Sequence, residues 1–245
     1  MTRRFAVAAG AYDADVVRIE GPLARRMANV LRLRPGEYVQ LFDGSGIEAR
    51  VLLESVRPAA VDARVVERVS GPPPPPADVR LYVAVAKGDR FDWLVEKATE
   101  LDVARIVPIV TARSVVKAEG GARLERWRRI AAEAAEQCGR GTVPAVAAPV
   151  RFADAIGAAE GALLMPYEAA GPGAPTVGRV IADITPRPGI VSVIVGPEGG
   201  FEPAEVERAL AAGARVATLG RRILRVETAA IAALVLINDA LAAPR

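Results

Sequence analysis

Apolar and polar positions along this chain follow two different rhythms, with a break between them. In the first stretch YVQLFD (38–43), IEARVLLESV (47–56) and VDARVVERV (61–69) alternate apolar and polar residues. That period of two predicts half-buried β-strands, with Asp43-Gly-Ser-Gly46 as a hairpin turn between the first pair. LARRMANVLRL (23–33) reads as one helix ahead of them. Further on, near-continuous apolar runs at 79–86, 104–110, 162–168, 191–196 and 214–220 are separated by helical patterns at 91–101, 124–139, 202–213 and 226–242. Apolar strands in alternation with helices predict a parallel sheet covered on both faces. The run Gly71-Pro-Pro-Pro-Pro-Pro-Ala77 divides the two patterns. Consecutive prolines form a stiff rod without backbone donors, so this segment reads as a spacer. The expected organisation is a β-rich domain over 1–70, a linker over 71–77 and an α/β domain over 78–245.

Composition narrows the chemistry. The chain has 245 residues, one cysteine (Cys138) and no histidine. An intrachain disulfide is excluded, and so are Ser-His, Cys-His and histidine general-base mechanisms. A zinc site of the usual Cys/His kind would find only Cys138 as a ligand here, and no metal is expected. No apolar run approaches the roughly 18–20 residues of a membrane helix, so a cytoplasmic protein with no membrane partner is expected. Net charge is +3 and the pI near 9.3, a modest bias toward a polyanionic partner. Lys87, Lys97 and Lys117 are the only lysines and fall in one stretch.

The candidate chemistry gathers at strand ends. VSVIV (191–195) runs into Gly196-Pro-Glu-Gly-Gly200 and then a helix opened by Pro203. Gly196, Gly199 and Gly200 remove Cβ atoms and bring main-chain groups close to whatever sits there. A second turn, Leu219-Gly-Arg-Arg-Ile-Leu-Arg-Val226, follows another apolar run and precedes the last helix. Ile223 and Leu224 lie between Arg221, Arg222 and Arg225 and require apolar cover. Glu227 or Thr228 is placed to satisfy free N–H groups at the start of that helix. In parallel sheets ligands bind beyond the strand C-termini, where both turns lie. Neither a G-x-G-x-x-G fingerprint nor a P-loop is present. Arg25, Arg26, Arg32 and Arg34 in the first domain, and Arg126, Arg128, Arg129, Gln137 and Arg140 in the second, read either as solvated faces or as nucleic-acid contacts; Lys87, Asp89 and Arg90 fall in a strand-to-helix turn, a further candidate site.

Five segments in order then resemble one family: 30–46, KGDRFDWLVEKATELDVARIVPIVTARSV (87–115), RW…EAAEQCGR (126–140), GPEGGF (196–201) and LGRRILRVETA (219–229). They are similar to the ribosomal small-subunit (16S) RNA uracil-N3 methyltransferases of the SPOUT superfamily. The resemblance implies a small PUA-like β-barrel for RNA, followed by a SPOUT-type parallel sheet with a C-terminal trefoil knot. It implies a homodimer that takes S-adenosyl-L-methionine as cofactor and 16S rRNA or the small ribosomal subunit as partner. The cofactor would contact Leu164, Pro166, Glu168, Val195, Gly196, Pro197, Gly199, Gly200, Leu219, Gly220, Arg222, Ile223, Leu224, Arg225 and Thr228. Catalysis would rest on Arg225, with Arg90 or Arg140 as alternatives, and on Glu198 or Glu227 as proton acceptor; RNA contact would rest on Arg25, Arg26, Arg32, Lys87, Arg90, Arg126 and Arg140. Methyl transfer to another RNA, to transfer RNA or a ribose 2′-hydroxyl, and noncatalytic RNA binding stand as alternatives.

Overall fold

The computed structural model describes residues 2–114, 121–171 and 173–243. Val115 and Lys117 therefore lie outside the described residues. The chain forms two units, one of residues up to Pro74 together with Ala135–Val143, the other of Pro75–Ala134 and Pro144 onward. Residues 135–143, which the sequence pattern assigns to the α/β part, are counted in the first unit.

The first unit contains strands β1 (Arg4–Ala6), β2 (Val16–Glu20), β3 (Tyr38–Phe42), β4 (Ile47–Val56) and β5 (Ala60–Ser70). They form one sheet in the order β1-β3-β4-β5-β2, parallel between β1 and β3 and antiparallel elsewhere. It is a half-barrel: β1 and β2 remain edges. Alternation along the strands buries Val39, Leu41, Val51, Leu53, Val61 and Ala63 on one face, against Phe5, Met27 and Leu33. The hairpin turn forms where the sequence placed it. Asp43 accepts from the Gly10 and Ser45 amides and from the Tyr12 hydroxyl, at 3.0, 2.9 and 2.6 Å.

The single helix expected at 23–33 is two short pieces. Helix α1 (Gly21–Arg25) has Pro22 in its first turn and passes into a π-turn at Arg26–Val30. Arg32 then takes a left-handed φ of 51°. Leu31 and Leu33 reach back to the carbonyls of Arg26 and Met27 instead of extending the helix.

The second unit is built on parallel strands β6 (Asp78–Ala84), β7 (Val103–Val110), β8 (Ala145–Val146), β9 (Val150–Arg151), β10 (Ala162–Pro166), β11 (Ile190–Val195) and β12 (Arg215–Ala217). Their order is β12-β10-β11-β6-β7-β8, with β9 also on β7. Helices α2 (Arg90–Glu100), α3 (Gly121–Cys138), α4 (Phe152–Ala158), α5 (Val177–Ala182), α6 (Pro203–Ala211) and α7 (Val226–Ala242) connect them. The short helices α4 and α5 escape the periodicity argument because neither completes enough turns to display a face.

Each central strand is buried on both sides, which explains its unbroken apolar sequence. Val79, Leu81, Val83, Leu164, Val191, Val193 and Val195 pack under α2, α5 and α7. The alternate residues Tyr82, Ala84, Leu163, Met165 and Ile194 pack under α4 and α6. Helix α6 begins in a capping box between Glu202 and Glu205 with Pro203 in its first turn. The last carbonyls of α7 are held by Arg187, whose guanidinium reaches Leu241 O and Ala243 O at 2.5 and 2.6 Å. Among the described residues no helix is long and apolar enough to cross a membrane.

Candidate functional site

The strand order sets β10 between β12 and β11, so three neighbouring strands end side by side. The chain leaving each of them lines one cleft. It holds about 530 Å³ of empty space, part of it open to solvent. Pro166, Tyr167 and Glu168 come from the end of β10, Pro197, Glu198 and Gly200 from the turn after β11, and Thr218, Leu219, Gly220, Arg222, Ile223 and Leu224 from the segment after β12. Ala229 closes it from α7.

The three glycines of the β11 turn have three different jobs. Gly200 alone has a left-handed φ, of 68°, and its amide closes the turn onto Pro197 O at 2.9 Å. A Cβ there would stand 2.4 Å from Glu168 Oε1, so the glycine lets that carboxylate lie against the main chain. At Gly196 a Cβ would meet the Phe201 ring at 2.8–3.0 Å. This glycine makes room for a buried aromatic, and the ring packs on Phe152 with centroids 5.4 Å apart. At Gly199 the carbonyl accepts from Arg113 Nη1 at 3.0 Å, and the Arg113 Cβ is the nearest neighbour a Cβ would meet, at 3.3 Å.

The turn after β7 thereby clamps the glycine turn. Besides the Arg113 bond, the Ala112 amide donates to Glu205 Oε1 at 2.9 Å, in the first turn of α6. Arg113, Tyr167, Thr218 and Ala229 were not singled out from sequence. Arg113 stands within the 87–115 segment, Ala229 ends the 219–229 segment, Thr218 lies directly before the Leu219 turn, and Tyr167 stands between the predicted contacts Pro166 and Glu168.

Of the predicted cofactor contacts, Pro166, Glu168, Pro197, Gly200, Leu219, Gly220, Arg222, Ile223 and Leu224 line the cleft. Leu164 and Val195 are core residues beneath it. Gly196 and Gly199 shape the turn from behind. Arg225 is the exposed N-cap of α7, and its carbonyl accepts from Ala229 N at 2.8 Å. Thr228 is exposed beyond the cleft lining, and no side chain caps the helix N-terminus, so neither Glu227 nor Thr228 plays the capping role expected of it. Ile223 finds no apolar cover within the described chain and is 84% exposed.

Charged groups gather beside the cleft. Arg90, the first residue of α2, lies 3.8 Å from Glu198 and 4.0 Å from Glu227. A second hollow is lined by Lys87, Asp89, Asp92, Arg123 and Arg126, over Phe91 and Trp127. There Arg126 pairs with Asp92 at 2.5 Å, and Asp92 also accepts from the Trp127 indole at 3.0 Å.

In the first unit, two predicted RNA contacts are used internally. Arg26 is ion-paired to Glu136 and lies over the Phe5 ring. Arg140 is 8% exposed and donates to Thr142. Arg26 ties Glu136 to that unit, Arg140 bonds within its own segment, and neither belongs to the solvent-facing set. Arg25 and Arg32 are exposed.

Comparison with known proteins places this geometry. Residues 73–238 match the RNA methyltransferase domain family. The chain is 32% identical over 228 residues to a ribosomal RNA small subunit methyltransferase E from Bacillus subtilis (strain 168), covering 91% of this chain and 89% of that protein. A crystal structure of the protein of that name from Neisseria gonorrhoeae, bound to S-adenosyl methionine, superposes with a TM-score of 0.85 at 32% identity over 98% of both chains. A methyltransferase from Legionella pneumophila, in complex with the same cofactor, gives 0.87 at 28% identity, again over 98% of both. A parallel sheet with three joined strand-end loops, matched along nearly its whole length, assigns the protein: the chain belongs to the RNA methyltransferase family that includes the ribosomal RNA small subunit methyltransferases E.

Proposed function

We propose that this protein methylates N3 of a specific uridine in the 16S RNA of the small ribosomal subunit, with S-adenosyl-L-methionine as donor. The observation that carries the reading is the cleft at the ends of β10, β11 and β12, in a chain of this family. The bare Cα of Gly200 against Glu168 and the uncapped start of α7 leave main-chain groups available to a ligand, as a donor held mostly through backbone would need. Pro166, Glu168, Pro197, Gly200, Leu219, Gly220, Arg222, Ile223 and Leu224 would hold it, with Leu164, Val195, Gly196, Gly199 and Thr228 supporting the loops.

S-adenosyl-L-methionine would supply an already activated methyl carbon, so the protein's task is alignment and charge. Glu198, on the cleft wall, accepts the imide proton of the base. Arg225, at the head of α7, donates to a base oxygen as negative charge develops there. Arg113 holds the Gly199 carbonyl and keeps the turn in place.

A trefoil knot at the C-terminal end is part of this reading. It is supported by the chain between β10 and α5, which borders the end of β12 on both sides. Tyr167 N donates to Ala217 O at 3.0 Å, and Thr218 N donates to Pro175 O at 2.8 Å. The segment leading to α7 thus leaves between two parts of one loop, the arrangement a threaded chain requires. The half-barrel unit is read as a PUA-like RNA-binding domain, with exposed Arg25 and Arg32 positioning phosphates, and Lys87, Arg90 and Arg126 contact the RNA from the second unit. A homodimer is supported by exposed Trp93 on α2 and Val235 and Leu236 on α7, and by uncovered Ile223. A ribosomal substrate sets the site of action in the cytoplasm.

The test is tritiated methyl transfer into small subunits from cells lacking this activity, followed by nucleoside analysis. N3-methyluridine is the expected product. Label in transfer RNA or on a ribose hydroxyl would overturn the substrate assignment, and no calorimetric binding of S-adenosyl-L-methionine would overturn the enzyme.

A further inference from the structure

Three elements remote in sequence bring charges together beside the cleft. Arg90 opens α2, Glu198 lies in the turn after β11, and Glu227 lies in the first turn of α7. Arg90 Nη1 is 3.8 Å from Glu198 Oε1 and Arg90 Nε is 4.0 Å from Glu227 Oε1. Both separations suit charge attraction and exceed hydrogen-bond length, so neither commits the guanidinium's N–H donors. Their exposures differ. Side-chain exposure is 45% for Arg90 and 34% for Glu198, but 12% for Glu227. Glu227 also has a buried Oε2 without a hydrogen-bond partner. A buried, incompletely bonded carboxylate is costly, and its retention calls for a reason.

We infer that Arg90 and Glu198 form the edge that reads the imide of the target uracil, and that Glu227 is the positioning residue that keeps Arg90 there. The inference rests on the uracil-N3 reading above. Uracil presents carbonyl, N–H and carbonyl along one edge. Its complement is a donor beside an acceptor, which an exposed guanidinium next to a carboxylate provides. Cytosine presents a lone pair at N3 and an amino group at C4, so the same carboxylate would face a lone pair.

The transfer then balances as follows. The N3 proton passes to the Glu198 carboxylate, the freed electron pair on N3 forms the bond to the methyl carbon, and the carbon–sulfur bond of the sulfonium breaks with its pair left on sulfur. Arg90, donating to a uracil oxygen, stabilises the charge spreading onto that oxygen. Once Glu198 is protonated it no longer balances Arg90. Glu227, on the other side and shielded from water, then remains as its counter-charge. A carboxylate placed there only to stabilise the protein would have its oxygens bonded; here the buried Oε2 has no hydrogen-bond partner and Oε1 faces Arg90 Nε at 4.0 Å.

The test uses the full-length protein and small subunits carrying uridine or cytidine at the target position. Arg90→Ala and Glu198→Gln are expected to lower kcat by roughly 100-fold or more, with calorimetric affinity for S-adenosyl-L-methionine within about threefold. Glu227→Gln, close to isosteric, is expected to lower kcat about tenfold, and Glu227→Asp to recover part of it. Independently of turnover, wild-type protein holding the demethylated donor should bind uridine subunits roughly 10-fold or more tightly over cytidine subunits, since one well-read base is worth about 1–3 kcal/mol. In Arg90→Ala and Glu227→Gln that preference should fall toward one. If Arg90→Ala does not fold, Arg90→Lys carries the test, because it keeps the charge and loses the planar fork. Wild-type kcat and wild-type base preference in these variants would overturn the inference alone. Failure of the wild-type protein to form N3-methyluridine would instead remove the functional reading on which it rests.

Discussion

Replacing Gly196 by alanine tests whether this glycine serves packing or backbone freedom. Its φ is not left-handed, so alanine brings no backbone strain. The added methyl would meet three Phe201 ring atoms at 2.8–3.0 Å, against an ordinary carbon contact of about 3.5–4.0 Å. The ring must therefore retreat by roughly 0.5–1 Å. It has little room: Phe201 is 4% exposed and tilted against Phe152 of α4. Overpacking of this kind costs about 1–3 kcal/mol, offset by about 0.4–1 kcal/mol from the stiffer unfolded chain. A net loss of about 1–2 kcal/mol is expected.

Urea unfolding followed by tryptophan fluorescence measures it in the relevant unit, because Trp93 and Trp127, the only tryptophans, both lie there. Phe201→Leu should absorb the methyl, so the double variant should be more stable than the two single losses predict, by at least about 0.5 kcal/mol. Gly157→Ala is the control. It lies in α4 with open space around its would-be Cβ and no left-handed φ, and should be stabilised by up to about 1 kcal/mol. A Gly196→Ala midpoint equal to wild type, or strict additivity with Phe201→Leu, would refute the packing account.

Gly200→Ala should act differently: the left-handed φ costs about 1–2 kcal/mol, and Glu168 must leave the cleft, so S-adenosyl-L-methionine affinity by calorimetry should fall along with stability. Arg187→Ala should cost about 1–3 kcal/mol by freeing two carbonyls at the end of α7, read from the same fluorescence transition. For Asp43, burial alone would push the carboxyl up; hydrogen bonds from Ser45, Tyr12 and the Gly10 and Ser45 amides outweigh it and bring it down to about 2. A depressed folded-state value stabilises above the unfolded carboxylate range near pH 4 and loses that contribution as pH falls toward 2. Asp43→Asn should thus destabilise the first unit at pH 5–7, with the difference shrinking below about pH 4, measured by hydrogen exchange of the β3–β4 hairpin amides. Burial and the bond to Asp43 raise the Tyr12 phenol to about 12; that contribution is present below pH 10 and is lost as pH rises through 12.

The sequence by itself determined the two-pattern layout, the parallel α/β sheet and the strand-end turns, because these follow from local period and glycine placement. VSVIV is apolar throughout since both of its faces are covered, and periodicity reads that directly. The GPEGG and LGRRIL turns follow their strands in the sequence, so their place at the C-terminal edge is also local. What only the tertiary structure decided depends on contacts between distant residues. The order β12-β10-β11 joins three loops into one cleft, yet no residue in any strand states its neighbour. Gly196, which in sequence looks like bare main chain offered to a ligand, makes room for Phe201 instead. Arg26 and Arg140 look like free cations in sequence and are committed to Glu136, Phe5 and Thr142. The short helices α4 and α5, and the break after α1, turn on packing and on a π-turn that no repeat announces. Burial and pairing are properties of two surfaces at once, and one stretch of chain carries only half of each.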